Sequence, residues 1–216
     1  PTVGLNVATY VSGQTHLVST YPPPDIAEGD HYTIVVFPDT QYFARTYPDI
    51  LTRMADWVAA HAADQNLAAV LHVGDITDAN VPTQWLNAYR SMSLLHGVVP
   101  YVLAIGNHDM LDGGVIRERG RTLLNEYFSI QAAERYSNLG GTMVPGRLDN
   151  HYALFTLAGT DYLVISLEYL PPDEALAWAN EVVARHPNHK VIYLTHAYLT
   201  HAGTKSTGPA NENLAR

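Results

Sequence analysis

Three short polar clusters carry the side chains in this chain that are suited to chemistry. Each comes directly after an apolar run: FPDTQ at 37–41, VGDITD at 73–78 and IGNHDM at 105–110. A fourth apolar run, KVIYLTH at 190–196, ends on His196. Carboxylate, amide oxygen and imidazole groups suit hard or borderline divalent cations such as manganese, iron, zinc or magnesium. The chain has no cysteine, so thiolate sites are excluded and the clusters predict an oxygen- and nitrogen-ligated metal site.

The apolar runs also predict how the clusters come together. The runs at 32–37, 67–73 and 99–105 have the length of buried strands, and helix-like segments lie between them. This β-α-β-α-β order favours a parallel sheet. In open α/β sheets, ligands bind beyond the carboxyl ends of the strands. The side chains expected at those ends are Asp39, Asp75 and Asn107.

The spacing of apolar residues predicts which face each intervening helix buries. The face expected for the first helix consists of Ile50, Met54, Trp57 and Val58. The face expected for the second consists of Trp85, Leu86, Tyr89, Met92 and Leu95.

In this order, the clusters resemble the motifs of the calcineurin-like metallophosphoesterases: D-x-H, GDxxD, GNHD or GNHE, a lone His, and GHxH. GDITD at 74–78 and GNHD at 106–109 match fully, and THAYL at 195–199 matches the fourth block. PDTQ matches the first block except that Gln41 stands where the family usually has His. One block alone is a weak signal, but GDxxD followed by GNHD after strands of this kind is specific. The resemblance covers roughly residues 32–201.

The resemblance implies an α/β fold, a two-sheet sandwich flanked by helices in αββα order. It also implies hydrolysis of small-molecule phosphate esters, monoesters or diesters, at a dinuclear centre of two divalent metal ions with a bridging hydroxide. Residue by residue, it makes Asp39 and Gln41 ligands of the first metal and Asp75 the bridge between the metals. It makes Asn107 and His196 ligands of the second metal.

Two further residues receive catalytic roles from the same resemblance. His108 is not a ligand in the family pattern and remains free to donate a proton or hydrogen bond to the departing oxygen. Asp78, the last residue of GDxxD, is expected to orient the His108 ring.

The chain departs from the family pattern at two points. The amide oxygen of Gln41 is a weaker donor than imidazole, and no GHxH block follows His196. We expect the last two histidine ligands to be missing through C-terminal truncation, with His201 in LTHAG an ordinary loop residue rather than a substitute. Both departures leave open an alternative, a metal-poor, non-catalytic binding or scaffold domain.

The rest of the chain divides into an N-terminal segment at 1–31, expected to hold a strand or two and a linker, and the main domain at 32–216. The segment at 111–150 is long enough to be functional. Its arginines either contact a substrate phosphate through their guanidinium groups or are merely solvated. These arginines are Arg117, Arg119 and Arg121.

The second half of the chain predicts a hairpin at 151–169 around AGTD, a helix at 171–187 and a strand before His196. His72 lies inside an apolar run and is expected to be a core residue. Asn150 and His151 are expected to have structural roles.

Composition excludes several classes of protein. The net charge is −9 and the twelve Lys and Arg residues are scattered, which argues against a nucleic-acid-binding surface. The sequence contains no apolar run of about 18 residues that could span a membrane. No glycine-rich phosphate loop is present, which argues against a metal-free nucleotide-binding domain. The tyrosine-rich, lysine-poor composition favours an extracytoplasmic or secreted location.

Overall fold

The structure is a computed structural model that describes residues 5–11, 14–19, 31–110, 119–199 and 204. In its N-terminal part, where the sequence predicts a strand or two, β1 (Leu5–Val11) and β2 (Gln14–Ser19) pair antiparallel. The expected linker lies outside the described residues. The division of the chain at residue 31 stays a prediction.

The first sheet is parallel and has the strand order β3-β4-β5. Its strands are β3 (Thr33–Phe37), β4 (Leu67–His72) and β5 (Tyr101–Leu103). All six residues of β4 are buried and the first five are apolar, as expected for a central strand covered on both faces. The predicted β-α-β-α-β order and the parallel pairing are confirmed.

Three helices follow the first two strands of this sheet. They are α1 (Gln41–Thr46), α2 (Pro48–His61) and α3 (Pro82–Met92), and a 3₁₀ turn at Ser93–Leu95 continues α3. Proline begins both longer helices, where its fixed φ suits the first turn and its missing N–H costs no hydrogen bond.

The face predicted for α2 is wrong at Ile50 and Trp57, whereas Val58 is buried and Met54 packs against the core. Leu51, Ala55 and Val58 form the buried stripe, whereas Ile50 and Trp57 are 43% and 50% exposed. Positions four and three residues apart lie on one side of a helix, so a stripe through 51, 55 and 58 leaves 50 and 57 beside it. The face predicted for α3 is largely confirmed, since Trp85, Met92 and Leu95 are fully buried.

The segment expected to be a long connection at 111–150 contains two short helices, α4 (Leu124–Tyr127) and α5 (Ile130–Tyr136). The hydroxyl of Ser129 caps α5 by accepting a hydrogen bond from the Ala132 N–H. Residues 111–118 lie outside the described part of the chain.

The second sheet has the order β6-β7-β8-β9, and helix α6 (Asp173–Arg185) connects its last two strands. Only the β8–β9 pairing is parallel. A two-residue turn with positive φ at Ala158 and Gly159 joins β7 to β8, which confirms the predicted hairpin. The strands are β6 (Leu139–Thr142), β7 (His151–Leu157), β8 (Thr160–Ser166) and β9 (Lys190–Leu194).

The two sheets pack face to face, and helices cover their outer faces. Val102 of β5 packs with Phe155 and Val164 of the second sheet in the layer between them. The α2 and α3 helices cover the first sheet, and α6 covers the second through Ala179 and Val182. The predicted two-sheet α/β sandwich flanked by helices is confirmed. In the described residues, no helix has the length and apolar character needed to cross a membrane.

Candidate metal centre at the strand ends

The carboxyl ends of strands from both sheets meet at one point. Asp75 follows β4 of the first sheet, and His196 follows β9 of the second. The Nε2 atom of His196 lies 3.2 Å from Asp75 Oδ2, and its Nδ1 atom lies 3.0 Å from the carbonyl oxygen of Val73. The sandwich therefore brings together two candidate ligands that are separated by more than a hundred residues.

The contact with Val73 fixes which nitrogen of His196 faces the site. A carbonyl oxygen only accepts, so Nδ1–H donates to it and Nε2 is directed at the Asp75 carboxylate. Burial lowers the pKa of His196, but the hydrogen bond and charge of Asp75 outweigh that effect and the net pKa is raised. Histidines that bind metals usually donate their other N–H in this way, which favours Nε2 as a ligand atom.

Asp39 and Gln41 form a second pair of candidate ligands at the start of α1. The backbone N–H of Gln41 donates to Asp39 Oδ1 at 3.1 Å, and its side-chain Nε2 donates to Asp39 Oδ2 at 3.0 Å. Burial raises the pKa of Asp39, these two hydrogen bonds lower it in part, and the charge of Asp75 raises it further.

The side-chain oxygen of Gln41 is the clearest sign of a missing partner at this site. Oε1 is buried and has no hydrogen-bond partner among the described residues. Buried polar atoms are nearly always satisfied, so an orphaned acceptor beside a carboxylate fits a bound cation. Gln41 therefore remains a candidate ligand despite replacing a histidine.

The backbone around Asp75 is shaped by two glycines and is itself unusual. Asp75 has a φ of 50° and Gly74 a φ of 97°, both in the left-handed region. An added Cβ at Gly106 would lie 2.0 Å from Asp75 Oδ1. Asp75 Oδ1 also accepts the backbone N–H of His108 at 2.9 Å. The loops after β4 and β5 thus touch through their backbones, which holds the Asp75 carboxylate at the strand ends.

Asp109, the last residue of GNHD, joins the same two loops, a role that the sequence analysis did not assign to it. Its buried carboxylate accepts the N–H groups of Gly106, Ile76 and Thr77 and the Thr77 hydroxyl, at 2.7–3.0 Å. Burial raises the pKa of Asp109 to about 7, while the three backbone N–H groups pull it down. Three of its four donors belong to the backbone, which every residue carries, so only the fold reveals the contact.

The two ring nitrogens of His108 differ: Nδ1 is held by a hydrogen bond, and Nε2 takes no part in that contact. Its Nδ1 lies 2.7 Å from the backbone oxygen of Asp78, so Nδ1–H donates there. The Asp78 carboxylate is farther away, with Oδ1 at 3.9 Å, and its Oδ2 accepts from Arg45 at 2.8 Å. Asp78 thus contacts the ring mainly through its main chain. Arg45 is a further residue that sequence reasoning missed.

Asn107 lies between Gly106 and His108 and is partly buried. Its side chain makes no hydrogen bond within the described part of the chain, which leaves its amide oxygen available. Its role as a ligand stays a prediction.

Two buried histidines have structural contacts. His72 accepts the Gly74 N–H at Nδ1 and contacts Thr40 Oγ1 through Nε2, and burial lowers its pKa to about 3. His151 donates Nδ1–H to the Leu148 carbonyl, and burial lowers its pKa to about 4. The prediction that His72 is a core residue is confirmed.

Arg119, which the sequence predicts to be either phosphate-binding or merely solvated, is held by protein groups. Arg119 donates to Glu168 Oε2 at 2.6 Å and to the carbonyls of Tyr169 and Leu170. Glu168 is buried and exchanges two hydrogen bonds with Asn150. This network ties the segment after residue 118 to the end of β8, and it gives Asn150 the structural role expected of it.

Three other candidates from the sequence stay predictions. Arg121 is exposed, and its backbone carbonyl accepts from Asn80. Arg117 and His201 lie outside the described residues.

The donor set fits divalent cations, although it is spread over separate segments. In the described residues, no three His, Cys, Asp or Glu side chains lie close enough together to hold one ion. Asp75 and His196 supply two such donors in direct contact. The other candidate oxygen donors are the Asp39 carboxylate and the amides of Gln41 and Asn107, which are ligands for hard cations.

Comparisons with known proteins identify the family of this chain. A family model for calcineurin-like phosphoesterases matches residues 32–216. Over 188 residues the chain is 35% identical to the uncharacterised protein YvnB of Bacillus subtilis (strain 168), and the match covers 86% of this chain and 14% of that protein. The chain therefore spans only a small part of that relative's length.

Among solved structures, the fold is similar to that of purple acid phosphatase PPD1 from yellow lupin (Lupinus luteus) seeds. The TM-score is 0.53 at 17% identity, covering 93% of this chain and 37% of that chain. At this identity the likeness concerns the fold alone. The family match, over most of the chain, is decisive: this chain belongs to the calcineurin-like phosphoesterases.

Proposed function

We propose that this chain is the catalytic core of a phosphoester hydrolase that uses two divalent metal ions. The observation that carries the proposal is the meeting of His196 Nε2 and Asp75 Oδ2 at the ends of strands from the two sheets. A carboxylate and an imidazole nitrogen that face each other in a polar strand-end site are a ready pair of metal ligands. The family assignment supports the same reading.

The candidate ligands divide into two groups around one carboxylate. Asp39 and the orphaned Oε1 of Gln41 would hold the first ion, and Asn107 and His196 the second. Asp75 would contact both. Bound cations polarise phosphoryl oxygens and make water acidic enough to attack at neutral pH.

Among the side chains of the protein, His108 is the one that would donate a proton to the leaving oxygen. Its Nδ1–H is held by the Asp78 carbonyl, so Nε2 is the nitrogen available to the leaving oxygen. Donation from Nε2 requires the ring to carry both protons, and the Asp78 carboxylate lies 3.9 Å from Nδ1. After donation the ring is neutral and keeps its proton on Nδ1.

The alternative is a binding or scaffold domain that holds few metals. The observation in its favour is that the described His, Asp and Glu side chains form no group of three around one point. Such a domain would bind no more than one ion and cleave no phosphoester.

The test combines metal stoichiometry with hydrolysis of 4-nitrophenyl phosphate and bis(4-nitrophenyl) phosphate. We expect about two metals per chain and cleavage of at least one ester. Asp75→Asn should lose more than about 90% of the activity, because one carboxylate would serve both ions. The matched control is Asp56→Asn, an exposed carboxylate on α2 that should leave both readings unchanged.

Several results would overturn the proposal. The scaffold alternative is supported if the wild-type protein takes up fewer than about one metal after soaking in manganese and cleaves neither ester. Retention of more than about a tenth of the activity in Asp75→Asn contradicts the role given to that carboxylate.

A further inference from the structure

Arg45 lies at the rim of the candidate centre. It stands four residues after Gln41 on α1, so the two side chains share one face of the helix. Its Nη1 donates to Asp78 Oδ2 at 2.8 Å and its Nε donates to Thr46 Oγ1 at 3.3 Å. The guanidinium also lies over the ring of Tyr42, 4.7 Å from the centroid. Three contacts therefore fix the position of this cation next to the loop that orients His108.

The fixed guanidinium still has donors to offer. Arginine carries five N–H groups, and the structure gives Nη2 of Arg45 no partner in residues 31–110 and 119–199. The side chain is 46% exposed. A guanidinium whose position is already set loses little entropy when it binds an anion, and its planar edge matches two phosphate oxygens.

The negative charge around the site would repel an anionic substrate, and a cation there offsets that repulsion. Asp39, Asp75 and Asp78 all lie at this end of the sandwich, and the chain carries a net charge of −9. Two other arginines of the described region already bind carboxylates, Arg119 with Glu168 and Arg147 with Asp149. Arg45 contacts the candidate catalytic residue Asp78 and also has N–H donors that are not used in that contact.

We propose that Arg45 is a specificity-determining residue that binds a nonbridging oxygen of the substrate and favours phosphomonoesters over phosphodiesters. The inference rests on the proposed hydrolase function. A monoester has a second ionisation near pH 6 and carries close to two negative charges at pH 8, whereas a diester carries one. The second charged oxygen of the monoester is the group that Arg45 would bind.

The test measures kcat/KM at pH 8 for 4-nitrophenyl phosphate and bis(4-nitrophenyl) phosphate in the metal-loaded protein. Arg45→Gln should lower the monoester value by about 10- to 100-fold, as expected for a lost hydrogen bond to a charged group, and the diester value by less than about threefold. Inhibition by inorganic phosphate should weaken by a similar factor to the monoester value. Arg45→Lys should fall between the two proteins, because it keeps the charge without the planar edge.

Arg53→Gln is the matched control, since Arg53 is an exposed arginine on α2 beside β3. It should leave both esters unaffected. Metal content is measured for every variant, so that a folding or ligand defect is recognised before the kinetics are compared.

The outcomes separate this inference from the proposed function. An equal loss for both esters would make Arg45 a positioning residue for Asp78 and His108 and overturn the selectivity. No loss for either ester would overturn it while the hydrolase function stands.

If the wild type cleaves neither ester, the hydrolase function fails, and calorimetry with inorganic phosphate decides the role of Arg45. A Kd for phosphate that rises by about tenfold in Arg45→Gln supports anion binding by this residue. An unchanged Kd, or no phosphate binding by the wild type, overturns it.

Discussion

Replacing Gly106 with Ala tests whether the contact between two loops positions the candidate bridging carboxylate. The new Cβ would lie 2.0 Å from Asp75 Oδ1 and 2.4 Å from the backbone nitrogen of Asp75. Comfortable separations of heavy atoms are about 3.5 Å. Because a backbone atom is among those blocked, rotating the carboxylate does not relieve the overlap. The loops must therefore move apart by about 1 Å.

The cost follows from the hydrogen bonds that join the loops. The His108 N–H donates to Asp75, and the N–H groups of Ile76 and Thr77 donate to Asp109. Hydrogen bonds to charged groups contribute about 1.5–3 kcal/mol each, or about 4.5–9 kcal/mol for three, so losing about two thirds of that should lower the free energy of unfolding by about 3–6 kcal/mol. That is a large share of a typical total of about 5–15 kcal/mol. A 1 Å shift of Asp75 should also lower turnover by about 100-fold.

The assay is urea unfolding, followed by metal titration and phosphoester hydrolysis under conditions where the variant is folded. Gly146→Ala is the control, since an added Cβ there meets no atom within 4 Å. Its φ of 82° makes alanine unfavourable by about 1 kcal/mol, a backbone cost that Gly106 does not share because its φ lies outside the left-handed region. An unfolding free energy for Gly106→Ala within about 1 kcal/mol of this control, with unchanged metal affinity, would refute the reasoning.

Further predictions concern single side chains. His108→Ala should keep its metals and lose about 10²- to 10⁴-fold in turnover, with the smallest loss for good leaving groups; an equal loss for every leaving group contradicts proton donation. Gln41→His should tighten metal binding in a chelator competition, because imidazole is a stronger donor than an amide oxygen, and unchanged affinity means that Oε1 is not a ligand. Metal affinity should fall as the pH is lowered through the raised pKa of His196, with proton release visible by calorimetry in two buffers. In the metal-free protein, the raised pKa of His196 stabilises the fold below about pH 6.5. This stabilisation is lost as the pH rises through the folded-state pKa, and urea unfolding at several pH values measures the loss. Arg119→Ala should lower the free energy of unfolding by about 1–3 kcal/mol without changing metal content, because it leaves the buried Glu168 short of a partner; an unchanged unfolding curve contradicts this.

The sequence predicts the strand ends well because their signals are local. An apolar run followed directly by Asp39 or Asp75 predicts a strand end, and the structure has a strand end at each of these places. His196 carries the same local signal, because the apolar run KVIYLTH ends on it, but the run alone does not show that its strand belongs to the other sheet. The β7–β8 hairpin was also readable, because its turn requires positive φ at two adjacent residues and Gly159 supplies one of them.

The features that the sequence did not reveal depend on contacts through space. The donors to Asp109 are mostly backbone amides, and the ion pair of Arg45 with Asp78 joins residues 33 positions apart. The buried face of α2 was misjudged because large apolar side chains outweighed small ones. Ala55 is fully buried, while the larger Trp57 lies beside the groove with β3.

Backbone groups orient the candidate ligands and the candidate acid, and this decides how the site responds to mutation. The contacts are the Val73 carbonyl with His196, the Asp78 carbonyl with His108, the Gln41 N–H with Asp39 and the His108 N–H with Asp75. A conservative change at Val73 leaves its carbonyl in place, so the orientation of His196 should survive it. A Cβ at Gly106 moves the backbone itself and disturbs several of these contacts together. The geometry should therefore tolerate changes in neighbouring side chains and be sensitive at the glycines where the loops meet. For this reason, a single methyl group at Gly106 tests the site more sharply than many larger substitutions.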